Sequence, residues 1–180
     1  LICDEDRVEF QDILATTLKK KIGPDLSAAE VFESTPVIFC DYLRGFVTDN
    51  ERFYEELPSY EKARQCLDEY FTEYQFSRRA QTDQILFFDS AVQHISRIAR
   101  ILRQPRGHAV VVGVAGTGKR TLARFAAFIS ECELAEIEVT DHYTIDNFKD
   151  DLMNFYTKCG VGGKRLAFIL SDTQLVNDEF

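Results

Sequence analysis

The chain has no tryptophan, a single methionine, four prolines and no apolar run near the roughly 18 residues a membrane span requires. No helical anchor and no membrane partner are therefore expected. No signal peptide is expected from this stretch, and a first residue of Leu1 rather than Met leads us to expect a piece of a longer protein. The five cysteines (Cys3, Cys40, Cys66, Cys132 and Cys159) are odd in number and never in C-x-x-C spacing. That pattern speaks against a disulfide frame or a zinc site and predicts reduced, intracellular thiols that mostly fill the core. His94, His108 and His142 lie far apart in sequence and are expected to be structural, so no metal site is assigned. Positive charge is also scarce: the formal net charge is −9. Acidic residues prevail over residues 1–76 and 108–180, and basic ones only over residues 77–107. An acidic surface repels nucleic acid, anionic lipid and acidic filaments, so no nucleic-acid partner is expected.

What is present is a glycine-rich loop with one discordant residue. Val110, Val111 and Val112 lead into Gly113, Val114, Ala115, Gly116, Thr117, Gly118, Lys119, Arg120 and Thr121. This is the G-x-x-x-x-G-K-[ST] layout, in which backbone N–H groups and a helix N-terminus hold polyphosphate and the Lys reaches its terminal oxygens. The position after Lys119 should hold the Ser or Thr that binds Mg²⁺, and it is Arg120. Thr121 offers a hydroxyl one residue late, about 100° further round the helix. Arg120 either lends its charge to the phosphates in place of the metal ion or points to solvent.

Around this loop the apolar spacing predicts helices over residues 4–20 (Val8, Ile13, Leu14, Leu18), 60–76 (Ala63, Leu67, Tyr70, Phe71, Tyr74) and 87–103 (Ile95, Ile98, Ala99, Ile101, Leu102). Gly23-Pro24 is expected to stop the first, and residues 104–107 the third. Residues 37–40 read as a short strand or an apolar anchor. Residues 109–112 read as a strand buried on both faces. A helix to about Ser130 follows, with Leu122, Phe125, Ala126 and Ile129 inward. Residues 134–139 read as a strand. The next helix starts near a Thr144 cap, carries Ile145, Phe148, Leu152, Phe155 and Tyr156, and ends at a Gly160 cap. Residues 166–170 form the last strand. Residues 108–172 therefore read as β-loop-α-β-α-β, the first half of a parallel P-loop α/β domain whose sheet is incomplete.

Asp172 ends the last apolar strand and is the candidate second acidic element. Such strands usually end in Asp-Glu, one carboxylate for the metal and one for the attacking water. Here Ser171 precedes Asp172 and Thr173 follows it, so one of the two functions is lost in either register. That leaves Mg²⁺ in doubt and favours binding over turnover. Arg97, Arg100, Arg103 and Arg106 recur every three residues and are expected to pair with acidic neighbours or another module. The aromatics Tyr54, Tyr60, Tyr70, Phe71, Tyr74 and Phe76 are expected to pack rather than stack on bases. Residues 85–88 line either an adenine pocket or the core.

Residues 89–128, together with Gly160-Val161-Gly162-Gly163-Lys164 and residues 166–174, resemble a dynein heavy chain of the axonemal type. The resemblance is to the start of the fourth AAA+ module of the motor ring. The family commonly has Gly and Ser at Ala115 and Thr117, Asn at His108, and Gln-Ser at Arg120-Thr121. The missing hydroxyl after the Lys is thus shared with axonemal relatives.

The resemblance implies a P-loop AAA+ core of the ASCE type. It implies the lid end of a preceding module over residues 1–35, a helical lead-in over 36–107 and the first half of the core over 108–180. It further implies a regulatory ATP or ADP site at residues 113–121, with Asp172 as a degenerate Walker B acid and weak or no hydrolysis. The implied parent is a microtubule motor whose main ATPase lies in another module. Its partners would be neighbouring AAA+ modules, microtubules and dynein intermediate and light chains, and its place the cytoskeleton of a cilium or flagellum. The competing readings are a stand-alone P-loop ATPase or nucleotide kinase, and a structural module with an empty loop.

Overall fold

A computed structural model describes residues 3–22, 38–46, 52–77, 85–140 and 142–175. The chain divides into two units, Leu1–Ile38 and Phe39–Phe180. In the first, helix α1 spans Asp4–Lys21, with Asp4, Glu5 and Asp6 in its first turn and Lys19, Lys20 and Lys21 in its last. Those charges complement the helix dipole at both ends. The expected stripe of Val8, Ile13, Leu14 and Leu18 lies on this helix, but none of its residues is buried. Gly23 and Pro24 fall outside the described residues.

The second unit begins with strands β1 (Phe39–Cys40) and β2 (Glu55–Glu56), paired antiparallel with Phe39 opposite Glu56. β2 carries no apolar signal and was not expected from the sequence. Helices α2 (Tyr60–Ser77), α3 (Asp89–Arg103) and α4 (Lys119–Ile129) follow, and then β3 (Glu133–Ala135), α5 (Ile145–Gly160) and β4 (Leu166–Phe168). A 3₁₀ turn over Asp172–Gln174 closes the described part. β3 and β4 pair in parallel, Glu133 opposite Leu166 and Ala135 opposite Phe168, with α5 as the crossover.

One core joins α2, α3, α4 and the segment around β1. It contains Cys40, Tyr42, Leu67, Tyr70, Tyr74, Phe87, Val92, Ile95, Phe125, Ala126 and Ile129. Phe125 is its hub: its ring lies 5.6 Å from Phe71, 5.5 Å from Tyr74 and 5.5 Å from Phe87. The Phe71 and Tyr74 contacts are edge-to-face, an arrangement that adds to the burial of the rings themselves. The Tyr42 and Ser96 hydroxyls pair inside the core. Ser96 donates to the Val92 carbonyl at 2.8 Å, so the Tyr42 hydroxyl is the donor in its 2.8 Å bond to Ser96 Oγ. Burial pushes the Cys40 thiol up to about 12, which leaves it protonated and inert. All five cysteines are thiols rather than half-cystines, Cys3 and Cys159 on the surface.

The α/β class holds, but the sheet is smaller than the sequence suggests. Residues 109–112 are not a strand. Val110 and Val112 are 91% and 89% exposed. An all-apolar run signals burial on both faces, yet burial requires a neighbouring strand, and no described segment pairs with it. The expected strand over 134–139 shortens to β3, and that over 166–170 to β4. Ile169 N–H still donates to the Ala135 carbonyl at 3.0 Å, so the ladder continues one bond beyond β4. Thr144 does cap α5, accepting from Asn147 N–H while Asn147 Oδ1 accepts from Thr144 N–H. Gly160 is the last helical residue rather than the cap, which is Val161.

Two substitutions test this packing by urea unfolding. Phe125→Ala is expected to cost about 3–5 kcal/mol, the range for emptying a buried aromatic site. Gly107→Ala is expected to destabilise as well, because a Cβ there would overlap the Ile101 carbonyl that closes α3. Parental stability in either variant would contradict the arrangement.

Candidate phosphate-binding loop

The loop is shaped by two left-handed glycines. Gly116 has φ +79° and Gly118 φ +75°, a region that costs a side-chain-bearing residue roughly 1–2 kcal/mol. Gly118 is also the N-cap of α4 and supplies no side-chain acceptor. The first N–H groups of α4 therefore have no side-chain cap, which leaves them available to an anion. Lys119 Nζ folds back over the loop and donates to the Gly113 and Val114 carbonyls, each at 2.7 Å. Thr117 Oγ1 donates to the Val114 carbonyl at 2.9 Å. Val114, Ala115, Gly116, Thr117 and Gly118 are exposed, and Thr121 is half-buried.

The charge at this helix end is unusual. α4 has no acidic residue in its first turn and opens with Lys119 and Arg120. Cations at a helix N-terminus oppose the dipole, by about 0.3–1 kcal/mol each. An anion in the loop would offset both terms.

Arg120 points neither freely to solvent nor into the loop. Its Nε donates to Glu136 Oε1 at 3.1 Å. Arg124, one turn further on, grips the same carboxylate with Nε at 3.0 Å and Nη2 at 3.0 Å. Burial pushes the Glu136 carboxyl up, but the hydrogen bonds from Arg124 and Arg120 outweigh it and leave the carboxyl below its usual range.

Asp172 is exposed at the start of the 3₁₀ turn and accepts from Thr173 N–H at 3.0 Å. The turn is held by Gln174. Its Oε1 accepts from Ser171 N–H at 2.8 Å, and its Nε2 donates to the Ile137 carbonyl at 2.6 Å from a buried position. Glu136 and Ile137 follow β3 directly, so the carboxyl end of β3 touches both the start of α4 and the turn bearing Asp172. Ligands of parallel α/β sheets bind outside the carboxyl ends of the strands. Sequence reasoning missed Glu136, Arg124 and Gln174. The one available signal was Arg120 and Arg124 at i and i+4, two like charges on one helix face that call for an acid.

Some of the other candidates are taken up by internal contacts and others lie exposed. Arg103 pairs with Asp41 at 2.6 Å and lies over the Tyr54 ring. Arg97 and Arg100 are exposed. A cavity of about 540 Å³ is lined by Asp41, Arg52, Arg103, Arg106 and Arg165 among others. Arg52 is spent on the Ile129 carbonyl and Glu131, and Arg165 on the Leu102 carbonyl. Phe87 is in the core, whereas Leu86 and Phe88 are exposed. Tyr70 and Tyr74 are buried and Phe76 is exposed.

Residues 84–180 match the family model described as the P-loop containing dynein motor region D4. Along its whole length the chain is 37% identical to human dynein axonemal heavy chain 6 and 32% identical to human dynein axonemal heavy chain 10. It is 33% identical to the beta chain of the flagellar outer-arm dynein of Chlamydomonas reinhardtii. The chain spans about 4% of the length of each of these relatives.

The Glu136 pairing has a pH signature. A carboxylate depressed by folding contributes stability that is complete above its unfolded value of about 4.5 and is lost as pH falls through the folded value. Glu136→Gln should therefore flatten the acid limb of a stability-versus-pH curve measured by urea unfolding. An unchanged acid limb would show that the Arg120–Glu136–Arg124 cluster does not form in solution.

Proposed function

The chain belongs to the dynein heavy-chain family, in its AAA motor region, and from that premise we propose that it holds ATP or ADP as a regulatory module with little or no hydrolysis of its own. The observation that carries the proposal is the start of α4: N–H groups without a side-chain cap, two left-handed glycines and two cations where the dipole disfavours them. Gly113–Thr121 would surround the phosphates, with the backbone as donor and Lys119 as counter-charge once it leaves the Gly113 and Val114 carbonyls.

The residues fit a polyphosphate better than they fit a metal-dependent hydrolase. Bound nucleotide supplies a phosphoanhydride, and the protein must then align a water and take its proton. Asp172 is the single carboxylate at the end of β4, flanked by Ser171 and Thr173, so metal and water have one acid to share. Arg120 stands where the metal-binding hydroxyl belongs and is tied to Glu136. A stand-alone ATPase or nucleotide kinase needs a second acid that this turn does not carry. The structural reading, a loop that stays empty, draws support from Lys119, whose charge is already met by two carbonyls.

In the parent heavy chain the module would act beside neighbouring AAA+ modules. Contact with microtubules and with intermediate and light chains would come through other parts of that chain, in a cilium or flagellum.

Calorimetric titration of the full 180-residue chain is expected to show ADP and ATP binding. Lys119→Ala should weaken it at least about tenfold, since a hydrogen bond to a charged group contributes about 1.5–3 kcal/mol. Phosphate release with Mg²⁺ should stay at background. Turnover that Lys119→Ala abolishes would overturn the regulatory assignment, and absence of binding would favour the empty loop.

A further inference from the structure

Arg120 and Arg124 share one carboxylate on unequal terms. Arg124 is 17% exposed and engages both oxygens of Glu136 in a fork, the strongest geometry available to this pair. Arg120 is 42% exposed and contributes one bond through Nε, while its two terminal nitrogens make no hydrogen bond among the described residues. The cluster holds two cations on one anion. Arg120 also repels Arg124 across one helix turn and opposes the positive end of α4. Glu136 would remain satisfied by Arg124 alone if Arg120 left. Arg120 is thus the cation with least to lose by moving, and it stands next to Lys119 at the mouth of the loop.

We infer that Arg120 exchanges partners, resting on Glu136 when the loop is free and turning its terminal guanidinium nitrogens to the phosphates of a bound nucleotide. It thereby lets the loop hold a nucleoside di- or triphosphate without needing a divalent metal ion. The inference rests on the nucleotide reading above. A guanidinium supplies one fixed positive charge and planar donors to phosphate oxygens, part of what a divalent cation supplies when a hydroxyl follows the Lys. Metal and Arg120 would compete for the same oxygens. The exchange takes place beside Ile137, whose carbonyl accepts from Gln174 and so anchors the turn bearing Asp172. Glu136 is then the competitor that sets how readily Arg120 is released.

The test is calorimetric titration of the full chain with ADP and with ATP, in EDTA and in Mg²⁺. Wild-type affinity should differ less than about threefold between the two conditions. Arg120→Ser should lose about tenfold or more in EDTA and regain it with Mg²⁺, while Arg120→Lys falls between. Glu136→Gln should tighten binding in EDTA. The Arg120 Nε–H resonance in an NMR spectrum should shift on adding ADP, a readout that a purely structural ion pair would not give. A wild-type gain of tenfold or more from Mg²⁺, or an Arg120→Ser variant unaffected in EDTA while Lys119→Ala loses binding, overturns the exchange and leaves the nucleotide site standing. Absence of binding in wild type overturns both.

Discussion

The position of the loop depends on one packing contact, the burial of Phe125 among Phe71, Tyr74 and Phe87. Residues 109–112 have no strand partner among the described residues and cannot hold the loop from its N-terminal side. The restraint comes from α4 instead. Phe125, Ala126 and Ile129 fix one face of that helix in the core. Arg52 donates to the Ile129 carbonyl and fixes its far end, and the fork from Arg124 to Glu136 ties its flank to the end of β3. A fully buried aromatic side chain contributes about 3–5 kcal/mol, more than any of the exposed ion pairs. The helix is therefore rigid where it meets the core and open where it meets the loop.

The electrostatics run against the chain's overall character. A protein of net charge −9 concentrates cations at the N-terminus of α4, where the helix dipole alone would exclude them. Most arginines elsewhere have a resident counter-charge or carbonyl: Arg64 with Asp89, Arg103 with Asp41, Arg52 with Glu131. Lys119 and Arg120 have only provisional partners, two carbonyls that need no cation and a carboxylate already held by Arg124. Resident partners of the first kind are why Arg52, Arg103 and Arg165 around the 540 Å³ cavity carry no functional assignment.

Binding and turnover also separate. In the proposed reading, the αL glycines and the open α4 terminus would supply the donors for phosphate. Hydrolysis would additionally need a metal, an oriented water and a base, and Arg120 after the Lys with Ser171 and Thr173 around Asp172 departs from the residues usual for these tasks. In the proposed exchange, occupancy of the loop would change the charge pairing of Arg120, Glu136 and Arg124 at the end of β3.

The helices were legible because their signal is local. The periodicity of Ala63, Leu67, Tyr70 and Tyr74, the Thr144 cap and the glycines at 116 and 118 each act within a turn or two of the residue that carries them. The family was legible for the same reason, through contiguous residues around the loop and the strand before Asp172. The valines at 110–112 misled because an apolar run states only that burial is favourable, while pairing depends on a neighbour the run does not contain. β2 was invisible because Glu55 and Glu56 pair through the backbone rather than through apolar side chains. The sequence by itself determined the glycine-rich loop motif, the helices and the absence of a Ser or Thr directly after Lys119. Only the tertiary structure decided where the Arg120 charge goes, because its partner Glu136 lies beyond α4 at the end of β3, and packing around Phe125 sets the helix that carries Arg120.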